Sequence, residues 1–296
     1  MATTERPAWT ASVLPVATVA AGVLLAWYLG AWWLNAPGAI ERVLNPTGQP
    51  WTWADLLATT MAMERPVLPA PHQVVQDFVS SLVDWPIDSP RNLLFHVAVT
   101  GKATLVGFGM GTVLGVVLAA LIVHSRTLDR ALLPWIVASQ TIPVLAIAPI
   151  VLVILGSLGF SGLLPKAVIA MYLCFFPVTV AMVQGLRSPQ RMETELMHTY
   201  AATRWQALWL LRMPAALPFL FPALRVAIAA GLVGAMVAEL PTGAQAGLGA
   251  RLLTGSYYGN TVQIWSALLM SALLGMALTA AVALAERLVL RKGASA

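Results

Sequence analysis

The placement of charge along the chain limits its fold more than any other property. No charged residue occurs from Pro7 to Ile40, Ala103 to Ser125, Ala131 to Pro165, Ala167 to Leu186, or Leu252 to Ala285. Each stretch can supply the roughly 20 apolar residues that a helix needs to cross a bilayer. Backbone groups in lipid must be satisfied within the segment, so a bundle of helices is the expected form. Only 10% of the residues are charged, against about 25% in a soluble domain. The expectation is an all-α integral membrane protein with about six transmembrane helices.

The apolar runs place these spans near residues 13–34, 98–123, 132–156, 164–185, 218–240 and 262–286. The first follows only Arg6 and is longer than the roughly 7 to 15 residues of a signal-peptide core, so it is expected to be retained as a helix. The fifth contains Arg225, expected to snorkel to the interface, and closes at Glu239. With the N-terminus inside, ten Lys and Arg fall in inner segments and six in outer segments or helix mouths. The inner ten include Arg126, Arg130, Arg187, Arg191, Arg204 and Arg212; the outer six include Lys102 and Lys166. That bias puts both termini in the cytoplasm. It also accounts for the net charge of +5 without nucleic acid, since no basic run is interleaved with aromatics. Cys174, alone in an apolar span, reads as a small packing residue.

Three parts follow: 1–35, an N-terminal tail and first helix; 36–91, an extracytoplasmic connection; and 92–290, the main membrane domain. The connection carries two surface helices, Thr52 to Met63 and Pro71 to Val83. In the second, Val74, Val75, Phe78, Val79 and Leu82 recur at helical spacing, as in a helix lying in the interface. Trp51, Trp53 and Trp85 fit either an interfacial belt or plain packing. In the second span, Gly107, Gly111 and Gly115 are four apart and permit close helix contact. Pro134, Pro143 and Pro149 interrupt the third, which either lines a pathway or is a kinked packing helix.

The most polar inner stretch joins spans four and five. Arg191 and Glu195 form an i,i+4 pair, and Met192, Leu196, Tyr200 and Thr203 share one helical face. A short amphipathic helix along the membrane is expected, able to dock into a groove on a soluble partner. Pro214, Pro218 and Pro222 then mark the expected handover to a membrane helix.

This stretch resembles the loop shared by inner-membrane permeases of ABC importers: E-A-A, three residues, Gly, nine residues, Ile, one residue, Leu-Pro. Glu195 takes the acidic position, Ala201 the Gly position, Leu211 the Ile position and Met213-Pro214 the last two. Leu196 and Met197 replace the alanines. Leu68-Pro-Ala-Pro71, Ala201 to Gln206 running into Pro214 to Pro218, Gly234 to Glu239, and Gly247-Leu-Gly249 are similar to the nitrate/sulfonate/taurine branch. Gly234 to Tyr258 looks closest to its pyrimidine, thiamine-precursor or riboflavin subgroup.

The resemblance implies a type I, binding-protein-dependent importer with a second permease copy, two cytoplasmic ATP-binding subunits and an extracytoplasmic binding protein, in a bacterial inner membrane. It also implies a coupling helix between membrane helices four and five, with Glu195, Leu196, Met197, Tyr200, Ala201, Ala202, Arg204 and Pro214 as ATPase-coupling residues. ATP and Mg would belong to the partner, because no Gly-rich loop ending in Lys-Ser/Thr is present here; no cofactor, metal or catalytic residue is expected in this chain. Pro143, Pro149 and Glu239 are candidate pathway or gate residues, Glu239 reading equally as a surface cap. His72, His96, His124 and His198 lie in separate regions and are expected to be ordinary polar positions. A self-sufficient secondary transporter or channel would instead need ionisable residues inside the spans, and an intramembrane enzyme a catalytic pair at membrane depth.

Overall fold

The computed structural model describes residues 8–241 and 246–293, with side chains for 13–241 and 246–289. Arg6, Thr242, Gly243, and the side chains of Arg291 and Lys292, all used in the sequence argument, lie outside these. Among the described residues the regular structure is helical: α1 (Ala8–Ala39), α2 (Trp53–Met61), α3 (Pro71–Val83), α4 (Leu93–His124), α5 (Arg126–Ser139), α6 (Val144–Ser157), α7 (Leu163–Leu186), α8 (Arg191–Thr199), α9 (Arg204–Ala207), α10 (Met213–Ala238), α11 (Leu248–Tyr257) and α12 (Thr261–Gly293). Among the described residues, five stretches are long and apolar enough to cross a membrane: Val13–Thr47, Leu93–His124, Leu163–Leu186, Arg204–Ala238 and Thr261–Val289.

The stretch expected to form a span at 132–156 is not one straight helix: α5 and α6 meet at a 102° bend, and taken together they make a sixth candidate span. Pro143 causes the bend twice over, since it lacks an N–H for the ladder and its ring turns Ile142 away from helical angles. Pro134 and Pro149 are accommodated inside α5 and α6. The Tyr172 hydroxyl of α7 donates to the carbonyl of Ser139, securing the end of α5.

The chain divides into two compact units, Met1–Pro86 with Leu252–Leu268, and Ile87–Arg251 with Leu269–Ala296. In the first, the buried Asn35 amide of α1 donates to Leu68 O at 2.8 Å and its oxygen accepts from Val67 N at 2.8 Å. Trp27 Nε1 donates to Pro69 O at 2.9 Å. The proline-rich strap before α3, which cannot form a ladder of its own, is thereby held by side chains of α1. Thr52 and Asp55 close a reciprocal cap on α2, the Asp55 carboxylate accepting from Thr52 N at 2.8 Å. The Thr52 hydroxyl and N–H hold the Asp55 carboxyl below its usual value, so the cap acts above the ordinary carboxylate range and weakens as pH falls through the lowered one. On α3 the apolar stripe is split: Val74 is buried, while Val75 and Val79 remain exposed.

The second unit is organised around α7, which packs against α4 on one side and α10 on another. Small residues set the approach. A Cβ on Gly107 would fall 2.5 Å from Ala170 Cβ, and one on Gly111 the same distance from Cys174 Cβ. Gly231 and Gly234 of α10 likewise face Cys174 and Ala170. Cys174 is buried and donates to Ala227 O, as a packing residue would. Arg225, expected to snorkel, pairs with Glu286 of α12.

Candidate functional site

Two polar regions lie at opposite ends of α7 and α10. The first is the connection that carries Glu195. After α7, Arg187 pairs with Asp129 at 2.9 Å. Gln190 then starts α8, its N–H donating to the Glu193 carboxylate at 2.8 Å. Arg191 Nε meets Glu195 Oε1 at 2.7 Å, with both side chains largely in the open. On the expected face, Met192 is 79% exposed, Leu196 55% and Tyr200 77%, so no part of the described chain covers it.

The helix is shorter than expected and stops before Thr203 and Arg204. Ala201 N donates to His198 O at 2.9 Å and Ala202 N to Met197 O at 3.0 Å, the paired bonds of a Schellman C-cap. Ala201 sits at φ +53°, the left-handed position that glycine usually fills. The residue in the Gly register of the loop therefore has the backbone that the register demands, without the side chain that makes it easy. Thr203 restarts the chain, accepting from Gln206 N at 3.3 Å while its own N–H bonds Gln206 Oε1 at 2.8 Å. From Arg204 the helix runs through a π-turn at Leu208–Arg212 into α10. The expected handover at the prolines is thus corrected: Pro214 opens α10, Pro218 and Pro222 lie inside it, and the turn occurs earlier, at 200–203.

The second region was only half visible in the sequence. Glu239 is fully buried, which removes its reading as a surface cap. Lys166 Nζ of α7 lies 3.1 Å from its carboxylate, Thr100 Oγ1 of α4 donates at 3.0 Å, and Gly249 N donates at 2.9 Å. Lys166 also reaches Ala246 O at 3.0 Å, and Leu248 N donates to Thr100 Oγ1 at 2.8 Å. His96 accepts from Gly247 N at 3.0 Å through Nδ1 and donates from Nε2 to Pro90 O at 2.8 Å, which fixes its tautomer. A Cβ on Gly247 would fall 2.1 Å from the Glu239 carboxylate, and the residue has φ +127°. Only glycine lets this segment lie on the acid. Burying a charge pair is tolerable where hydrogen bonds support both partners: both carboxylate oxygens accept, and the ammonium donates to Glu239 and to Ala246 O.

Of the residues singled out from sequence, Glu195, Leu196, Met197, Tyr200, Ala201, Ala202, Arg204 and Pro214 fall along one connection. Glu239 lies at the far end of α10. Pro143, just before α6, and Pro149, inside it, are exposed; Ala148 of α6 packs with Ile169 and with Ala238, the neighbour of Glu239. Lys166, Thr100 and His96 were missed as a group. One clue was available: Lys166 is the sole charge between two long apolar stretches.

Residues 111–292 match the family described as binding-protein-dependent transport system inner membrane component, and the chain belongs to that family. It is 36% identical over 184 residues to the formylaminopyrimidine transport permease protein ThiX of Halalkalibacterium halodurans, covering 62% of this chain and 68% of that one. It is 34% identical over 229 residues to the riboflavin transport system permease protein RibX of Chloroflexus aurantiacus, covering 77% and 81%. The putative aliphatic sulfonates transport permease protein SsuC of Bacillus subtilis is 25% identical over 225 residues, covering 76% and 78%. The protein is therefore an inner-membrane, multi-pass permease.

Proposed function

We propose that this permease forms the translocation pathway of an ATP-driven importer and couples it to ATP hydrolysis on partner subunits through α8. The observation that carries this reading is the uncovered face of Met192, Leu196 and Tyr200 on a helix capped at both ends. A preformed apolar stripe on a projecting helix is suited to a groove on a soluble protein. Its docking would supply the differential contact that any coupling between two states requires. In this reading both termini are cytoplasmic, two copies of the chain assemble, and a binding protein delivers substrate from outside. Residues 92–290 form the transport domain, 36–91 the outer connection and 1–35 the tail and first helix.

Glu239, with Pro143 at the start of the neighbouring α6 and Pro149 inside it, is assigned to the outer gate of the pathway. The cargo is a small polar organic solute of the pyrimidine, thiamine-precursor or riboflavin type. Of the relatives above 30% identity, the two whose names give a substrate support that choice over sulfonate or nitrate. Glu195→Lys combined with Ala201→Pro should abolish substrate-stimulated ATP hydrolysis by the assembled complex, measured in nanodiscs. Undiminished stimulation would overturn the role of α8. Ser188→Cys should react with an impermeant maleimide only from the cytoplasmic side.

A further inference from the structure

Behind α8 lies a cavity of about 940 Å³ whose wall includes Arg126, Arg204, Arg212, His124, His198 and Ser125. The carboxylates nearby in the chain are already engaged: Asp129 with Arg187, Glu195 with Arg191, and Glu193 with the N–H of Gln190. Among the described residues, none pairs with Arg126, Arg204 or Arg212. Arg212 is half-buried, so its charge is only partly solvated. Three guanidiniums around one concavity with no internal anion form a site complementary to phosphate, which the planar fork of arginine binds in a bidentate manner. The flank of the site is apolar: Trp205 and Trp209 stack with ring centroids 6.3 Å apart. Trp209 and Leu210 are largely exposed. A basic pocket beside exposed tryptophans at the end of a membrane helix fits a ligand with an anionic head and an apolar body.

We propose that this cavity binds the phosphate headgroup of an anionic phospholipid, with the acyl chains lying against Trp209 and Leu210. The bound headgroup would brace α8 from behind, through the side that carries Thr194, Met197 and His198, and leave the Met192, Leu196 and Tyr200 face free. The assignment concerns lipid retention by the permease itself; Met197, Ala202 and Arg204 of the wall are also among the coupling residues, so the test alters Arg126 and Arg212 instead.

The test is native mass spectrometry of the full-length chain released from detergent with added phosphatidylglycerol or phosphatidylcholine. Phosphatidylglycerol should be retained over phosphatidylcholine by about tenfold, and Arg126→Gln with Arg212→Gln should remove most of that preference. The corresponding pair of lysine substitutions should keep an intermediate preference, showing that the loss is not one of folding. Equal retention of the two lipids by the native chain, or an unchanged preference in the glutamine variant, overturns the proposal. A parallel arm adds inorganic phosphate alone. Thermal protection by phosphate without protection by the anionic lipid would assign the cavity to a soluble phosphate and reject the lipid. Loss of ATPase-subunit association in the glutamine variant with lipid preference intact would make the arginines a protein contact and reject it equally.

Discussion

The two polar regions at the ends of α10 are built on opposite principles. Around Glu239 every charge is buried and partnered by residues from α4, α7 and the 246–249 segment. Around Glu195 the charges are local, exposed and four residues apart. The buried region owes its form to the rest of the fold and would collapse with any one member. The exposed one owes its form to caps within about a dozen residues and leaves its apolar face to something outside the chain. One end is held together by the fold, and the other keeps an uncovered apolar face.

The sharpest way to break this contrast is to leave one buried charge alone. Lys166→Met should cost about 3 to 5 kcal/mol, because the Glu239 carboxylate loses its counter-charge while still buried. Adding Glu239→Leu should recover most of that loss, and thermal unfolding in detergent reads both. A single variant as stable as the native chain would mean that the clamp contributes nothing. Gly247→Ala comes next. It puts a methyl group into the carboxylate at a left-handed backbone angle, and a loss of at least roughly 2 kcal/mol is expected in the same assay. At the other end the changes should be small. Ala201→Gly should stabilise by about 1 kcal/mol, since it relieves the left-handed alanine, seen as slower amide exchange in α8. Glu195→Gln should shift stability by no more than about 0.5 kcal/mol. A loss as large as that of Lys166→Met would show that the connection is internally supported after all.

The same contrast explains what could be read from the sequence. The Gly107, Gly111 and Gly115 face was legible because its period and its chemistry both point to close packing, and it packs on α7 as the spacing implies. The amphipathic helix was legible because its signals are local. Its end was misplaced beyond Ala201, since an alanine there carries no outward mark of a left-handed turn. The break at 140–143 was hidden for a related reason: composition cannot distinguish a mild proline kink from a 102° bend within a run that carries no charge from Ala131 to Pro165. The Glu239 clamp was illegible for want of range. Thr100 is 139 residues from Glu239 and Lys166 is 73, and no periodicity spans such separations. Family membership was carried mainly by register and by short motifs in order, which survive substitution of individual letters.

One property of α10 joins the two ends mechanically. Its 26 residues make a rod of about 39 Å, seated at one end beside the α8 turn and finishing at Glu239. Swinging such a rod by about 5° carries its tip some 3 Å, roughly the length of a hydrogen bond. The bonds that hold Glu239 act over that distance, so a tilt too slight to disturb the packing along the shaft is still enough to unlatch its far end.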